Sequence, residues 1–417
     1  MPSEYNPFIY ICIYFTHMIF NNKYIDYSKK TKTELYQTLI LFLILSNRVI
    51  VFFGKILLTI ALKFKLPIFG IIKKTIFQHF CGGETIEDAR YKIQDLGENN
   101  IKTILDYSIE GKNDQYVLQK TYNEINTVLE ECSRNVLLPF CVFKMTGIAR
   151  FDLLKKLNTN EVLSSKEKKE FEIVKKRLHQ ICAKAKKIQV PILIDAEESW
   201  IQDAIDQLVE EMMINYNKDN VIVYNTIQLY RWDKLRYIKK IHQNAQKNKY
   251  KLGLKLVRGA YMEKERKRAK LKNYQSPIHI NKTKCDKDYN EAVKYCLEHI
   301  NDIAICFGTH NEESTQIAIH LMKNNNIEND DSRIYFSQLL GMSDNISYYL
   351  GYHKYNIAKY VPYGPIKEVL PYLIRRAEEN SSISGQTNRE IKRIRAAIKN
   401  TKNNVSNDAQ KDVMKPD

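Results

Sequence analysis

The residues best equipped for chemistry lie near the C-terminus, in Tyr360-Val-Pro-Tyr-Gly-Pro-Ile-Lys-Glu-Val-Leu-Pro-Tyr-Leu-Ile-Arg-Arg-Ala-Glu-Glu-Asn380. An apolar segment, Ile357 to Val361, runs into a Pro-Tyr-Gly-Pro turn, and a helix is expected to open at Pro365 or Ile366, where proline is tolerated. On that helix Tyr372, Arg375 and Arg376 are spaced i, i+3 and i+4 and share one face. Two adjacent guanidiniums beside a tyrosine form a fork suited to a carboxylate. Pro371 removes a backbone donor and is expected to kink the helix near that face.

Such a face needs a scaffold to meet. Beyond Gly82-Gly83, apolar β-branched runs alternate with amphipathic stretches. The spacing predicts strands at 101–107, 136–144, 190–195, 221–225, 252–258, 302–307, 333–338 and 357–361, and helices at 84–96, 166–187, 201–215, 229–248, 286–300 and 312–323. Eight such units imply an α/β fold, a closed (β/α)8 barrel rather than an open doubly wound sheet. No GxGxxG follows the first strand, which disfavours a dinucleotide-binding domain. Function in a barrel sits at the C-terminal strand ends. Those ends carry Asp106, Lys144, Asp195, Gln228, Arg258 with Tyr261, Thr309-His310-Asn311, Gln338 and Tyr360. Taken singly, Asp195 and His310 would serve as helix caps and Lys144 as a solvated lysine. Gly259-Ala260 after Arg258 removes bulk where a backbone could approach a large ligand.

The rest of the chain bounds the reading. Its 417 residues, 44% hydrophobic, are enough for a large barrel with extensions. The net charge of +17 is spread along the chain, as a solvated basic surface would be. Aromatic and basic residues do not interleave as a nucleic-acid stacking platform requires, so no nucleic-acid partner is expected. The eight cysteines include no CxxC pair and no His/Cys metal spacing; a reducing compartment without disulfides or metal is expected. Residues 1–34 form an N-terminal extension with no basic leader, and 35–82 an apolar region interrupted by Arg48, Lys55 and Lys63. No uninterrupted run reaches the about 18–20 residues of a spanning helix, so an interfacial amphipathic region is expected, with the three cations on one stripe. The barrel itself is placed at 83–385. Residues 386–417 read as a basic polar tail without hydrophobic period.

Several motifs carry a resemblance. Lys255-Leu-Val-Arg-Gly-Ala-Tyr261, Gly308-Thr-His-Asn-Glu-Glu-Ser314, Gln338-Leu-Leu-Gly-Met342 and the Tyr360–Asn380 stretch resemble the proline dehydrogenase family. Gly83-Glu-Thr85, Lys144-Met-Thr, Leu193-Ile-Asp-Ala-Glu-Glu198 and Tyr224-Asn-Thr-Ile-Gln228 look like the same family, in its order, and the C-terminal spelling most resembles that of its eukaryotic mitochondrial type.

The resemblance implies a distorted barrel holding FAD non-covalently, with the last helix across the barrel mouth. It implies oxidation of L-proline to Δ1-pyrroline-5-carboxylate by hydride transfer to flavin N5, with electrons passed to ubiquinone and peripheral contact with the matrix side of the inner mitochondrial membrane. By matching motifs, Arg375, Arg376 and Lys144 would grip the proline carboxylate. Tyr360, Tyr372 and Leu340 (Leu339 if the alignment gap moves) would enclose the ring, and Tyr261 would line the pocket. Gln228, Arg258, Gly259, Ala260, Thr309 and His310 would hold the flavin, with Ile194, Asp195 and Lys255 beside the isoalloxazine and the last two assigned catalytic roles. Lys255 stands where many bacterial members carry arginine, and Gln338-Leu-Leu-Gly is one residue shorter than their usual spelling. A hydroxyproline dehydrogenase of the same fold is the nearest alternative. Those enzymes tend to carry a small residue where this chain has Tyr360, whose bulk favours the unsubstituted ring.

Overall fold

The computed structural model describes residues 20, 31–64, 66–108, 114–382 and 387–399. Expectations for residues 1–19 and for 400–417 lie outside the described residues. Eight parallel strands close into a barrel in sequence order: β1 (Lys102–Tyr107), β2 (Cys141–Lys144), β3 (Ile192–Asp195), β4 (Val223–Gln228), β5 (Leu252–Val257), β6 (Ile303–Gly308), β7 (Ile334–Leu339) and β8 (Ile357–Tyr363). β8 pairs with β1 from Lys102↔Ala358 to Tyr107↔Tyr363.

Strands buried on both faces read as continuous apolar runs, and their side chains alternate between two cores. Ile104, Val142, Leu193, Tyr224, Ala304, Ala358 and Tyr360 meet inside the barrel. Leu105, Phe143, Ile192, Ile194, Leu254, Ile305 and Phe336 face the surrounding helices. Helices such as Ile86–Gly97 and Ser165–Ile188 open on capping boxes, Thr85 with Asp88 and Ser164 with Glu167, which satisfy otherwise orphaned N–H groups.

Some boundaries depart from the sequence expectation. The strand expected over 136–144 is confined to Cys141–Lys144. Before it, Asn135 to Leu138 form a turn, with Leu138 N–H donating to the Asn135 carbonyl at 2.9 Å, and Pro139 has no donor for a ladder. The helix expected from 229 starts at Lys234, because Leu229 and Tyr230 still bond back to β5 through the carbonyls of Val257 and Arg258. β8 runs on through Pro362, whose carbonyl accepts from Gly82 N–H at 2.8 Å. That bond seats the start of the barrel region against its last strand.

The chain after Ser381 also differs. Residues 387–399 are helical, and Ile391, Ile394, Ala397 and Ile398 bury against Leu35 and Phe42. The helical period there is short and diluted by charge, and becomes visible only beside its partner helix, Lys32–Leu45.

The apolar region before the barrel folds as Lys32–Leu45 and Arg48–Lys63, bent by 93° at their junction. Among the described residues no single helix is long and apolar enough to cross a membrane; the bent pair passes by length and composition. Its basic stripe is partly used within the protein: Arg48 Nε donates to the Ser381 carbonyl at 3.1 Å, and Lys55 pairs with Glu378 at 2.5 Å. The remaining face of Arg48–Lys63 is apolar and open to solvent, with Val49, Phe52, Phe53 and Leu57 each more than half exposed.

Candidate active site

Four charged side chains meet inside the barrel mouth. Asp195, at the end of β3, receives Lys255 Nζ of β5 on Oδ1 at 2.5 Å and the Tyr360 hydroxyl of β8 on Oδ2 at 2.7 Å. Lys144 Nζ, from the end of β2, stands 3.6 Å from Asp195 Oδ2 and 3.6 Å from Asp106 Oδ2 of β1. Lys255 also lies 5.0 Å from the centroid of the Tyr360 ring. Burial acts to raise the Asp195 pKa, but the Lys255 and Lys144 ammoniums with the bonds from Lys255 and Tyr360 outweigh it and hold the carboxyl below its ordinary value. Burial, reinforced by Asp106 and Asp195, pushes the Tyr360 phenol well up, so it stays neutral and keeps the proton it donates to Asp195.

The helix Ile366–Ser382 closes this mouth. Its Val369, Leu370 and Leu373 pack in one cluster with Leu45, Phe77, Phe80 and Tyr372, on the side of the helix that also carries Arg376. There Tyr372 and Arg376 are buried. Arg376 Nη2 pairs with Glu379 at 2.6 Å and its guanidinium lies 5.1 Å from the Tyr372 ring centroid. Arg375 stands 5.9 Å from the Tyr261 ring just after β5. The Tyr372 hydroxyl and Arg376 Nε are both buried without a hydrogen-bond partner. Burial raises the Glu379 pKa against the pull of Arg376 and Arg375.

A second set surrounds the ends of β4 to β7. Arg258 donates to Asp286 at 2.7 Å, Thr309 Oγ1 at 2.8 Å and Ser314 at 2.9 Å, so its guanidinium braces β5 against β6. Gln228 Nε2 donates to the Glu197 carbonyl at 2.7 Å, and Glu197 in turn accepts from Thr146 N–H at 3.0 Å, fixing the turn after Lys144. His310 Nδ1 is 3.1 Å from Ser343 Oγ; burial, with help from Lys359, Arg376 and Arg258, drops its pKa to about 3, leaving a neutral ring. Gly259 has φ +133°, and a Cβ there would stand 2.6 Å from the Tyr230 ring. Ala260 beside it is exposed. Thr226 Oγ1, on β4 opposite Lys255, is buried without a partner.

Two residues fall elsewhere than expected. Ile194 belongs to the outer core: with Asp195 turned inward, alternation turns Ile194 outward, away from any ligand in the barrel. Leu340 likewise packs in the outer core, whereas Leu339, opposite Tyr360 in the ladder, faces the barrel interior. Two side chains missing from the sequence-derived set join the site. Asp106 was marked only by its place at a strand end, and Glu379 was not marked at all, the one local signal for it being its i+3 spacing from Arg376.

A closed eight-stranded parallel barrel with buried, charge-paired side chains gathered at its mouth is the architecture of a (β/α)8 enzyme. Residues 89–389 match the family described as proline dehydrogenase, and the chain belongs to that family. It is 32% identical over 379 residues to mitochondrial proline dehydrogenase 1 of Dictyostelium discoideum, covering 80% of this chain and 66% of that protein. It is 30% identical over 372 residues to mitochondrial proline dehydrogenase 1 of Arabidopsis thaliana, covering 78% and 74%. Its fold is similar to the crystal structure of proline utilization A from Bdellovibrio bacteriovorus inactivated by N-propargylglycine, with TM-score 0.68 at 19% identity, over 89% of this chain and 41% of that one.

Proposed function

We propose that this chain oxidises L-proline to Δ1-pyrroline-5-carboxylate, holding FAD non-covalently and passing electrons to ubiquinone at the matrix side of the inner mitochondrial membrane. The observation that carries the reading is the unsatisfied donor pair on the closing helix, the Tyr372 hydroxyl and Arg376 Nε. Buried donors without acceptors cost roughly 1–3 kcal/mol each, a cost that a bound carboxylate relieves.

The residues present fit a flavin. Three neighbouring strands supply the orphaned Thr226 hydroxyl of β4, the Lys255 charge of β5 with side-chain-free Gly259 after it, and the neutral His310 ring after β6. Gln228, Arg258 and Thr309 brace those strand ends. When bound, FAD supplies the hydride acceptor at N5.

The chain's own part is orientation. Arg376, Arg375 and Lys144 fix the carboxylate, and Tyr360, Tyr372 and Leu339 confine the saturated ring, so the carbon next to nitrogen is presented in one pose. Lys255, tied to Asp195, would hold positive charge beside a bound flavin and would there stabilise negative charge on the acceptor. Both oxygens of Asp195 are already taken, by Lys255 and by the Tyr360 hydroxyl, so the amine proton is left to solvent. The relatives named mitochondrial and the exposed apolar face of Arg48–Lys63 support the proposed location. Such a face suits the lipid boundary where a quinone resides. The test is spectroscopic: purified protein is expected to be yellow and to be bleached by L-proline under anaerobic conditions. A flavin spectrum that proline leaves unchanged would refute the substrate.

A further inference from the structure

The pleat that turns Tyr360 into the barrel turns its neighbour Lys359 to the other side of β8, where it is 1% exposed. None of the roles above uses this lysine. An ammonium has three protons to donate, and this one meets the Met342 carbonyl at 2.6 Å, Asp344 Oδ1 at 2.8 Å and the Leu339 carbonyl at 3.4 Å. All three acceptors lie on the loop that follows β7. Its charge also reaches Glu390, whose carboxyl burial pushes up against the pull of Arg393 and then Lys359. The loop contains two residues in the left-handed region, Gly341 at φ +74° and Ser343 at φ +53°. A non-glycine residue there is strained, and persists where its surroundings over-determine it. The acceptors of Lys359 stand on either side of both positions. The side chains of the same loop reach the ligand space: Leu339 packs against the interior cluster of Tyr360 and against the closing-helix cluster that holds Tyr372, and Met342 belongs to the latter.

We propose that Lys359 is a positioning residue that sets ring-size selectivity: by fixing the carbonyls that flank the strained turn, it holds Leu339 against the Tyr360 and Tyr372 walls, so that a five-membered ring acid fits and a six-membered one is turned away. Without the ammonium the turn relaxes toward ordinary backbone conformations, Leu339 draws back, and the pocket admits one more methylene. This rests on the proline reading, and it assigns specificity to a side chain on the far face of the strand from the substrate.

Lys359→Met keeps the unbranched stem and removes the three donors. In the flavin-loaded full chain it is expected to raise the ratio of kcat/KM for L-pipecolate, the six-membered homologue, to that for L-proline on the order of tenfold, the discrimination that one methylene carries in an apolar pocket. Calorimetry with cyclohexanecarboxylate and cyclopentanecarboxylate, ring acids with no amine to oxidise, should show the same shift in relative affinity without turnover. Leu339→Ala should raise the ratio by itself, and adding Lys359→Met to it should change the ratio by less than about twofold, since both act on one wall. A damaged fold alone would lower both substrates together. Equal losses for the two ring sizes, or independent effects of Lys359→Met and Leu339→Ala on the ratio, would therefore overturn the assignment. If Lys359→Met yields no folded barrel, Asp344→Ala decides. That side chain is 33% exposed and supplies one of the three acceptors, so its loss should move the ratio in the same direction by a smaller factor, and an unmoved ratio overturns the assignment. An unaltered chain that neither oxidises proline nor binds cyclopentanecarboxylate would overturn the proline reading and this assignment with it, whereas proline turnover with an unmoved ratio in the variants would overturn this assignment alone.

Discussion

The Tyr360 hydroxyl reaches Asp195 Oδ2 at 2.7 Å across the barrel interior, joining β8 to β3, while the other oxygen of the same carboxylate holds Lys255 of β5. One side chain therefore sets both the wall of the pocket and the charge beside it. Tyr360→Phe keeps the ring but removes a hydrogen bond to a charged acceptor, which is worth about 1.5–3 kcal/mol. Denaturant unfolding should register a loss of that order. Tyr360→Ser should instead open the wall and raise activity on hydroxyproline relative to proline; an unchanged substrate ratio would count against Tyr360 as the wall.

Arg376 is the more deeply placed member of the guanidinium pair and keeps an unpartnered Nε. Arg376→Lys preserves charge but loses the planar fork. It is expected to raise KM for proline on the order of tenfold, and Arg376→Ala on the order of a hundredfold, in steady-state assays. Arg375→Ala, at a side chain less buried than Arg376, should cost less.

His310 gives the fold an acid sensitivity. Burial first, then the charges of Lys359, Arg376 and Arg258, lower its pKa from 6.5 to about 3, with Asp344 opposing. Between those values the unfolded chain binds more protons than the folded one, so stability rises with pH and is lost as pH falls below 6.5. The slope contributed is at most about 1.4 kcal/mol per pH unit. Unfolding curves at successive pH values should be flatter across that window for His310→Gln than for the unaltered protein.

The helix over residues 387–399 is held by Ile391, Ile394 and Ile398 on Leu35 and Phe42, and by Arg389 Nη1 at 3.2 Å from Glu312. Ile394→Asp would bury an unpaired charge and is expected to cost roughly 3 kcal/mol or to release the helix. Limited proteolysis would then cut before residue 387. Resistance equal to that of the unaltered chain would show that this packing contributes little.

Phe52, Phe53 and Leu57 are 61%, 57% and 65% exposed, so charging them should spare the fold. Phe52→Asp combined with Leu57→Asp is expected to abolish sedimentation with phospholipid vesicles while shifting Tm by less than about 2 °C, since surface changes usually stay within about 0.5 kcal/mol. Retained vesicle binding would exclude this face as the lipid contact.

The sequence alone was enough to locate the alternation of eight apolar runs with amphipathic stretches, the polar residues at the strand ends and the Tyr372–Arg375–Arg376 face. Each depends on local periodicity or spacing, which neighbouring residues carry among themselves. Tertiary structure decided which side of a strand each residue takes. Ile194 and Leu340 lie in the outer core while Asp195 and Leu339 face inward, because a shift of one residue reverses every side chain. It also decided the partnerships: Asp106 with Lys144, Tyr360 with Asp195, and Ile394 with the Lys32–Leu45 helix. Those pairs join residues from separate elements or from faces whose orientation only packing sets. Their energies arise from burial and charge proximity, which exist only once the barrel has closed and the last helices have settled over its mouth.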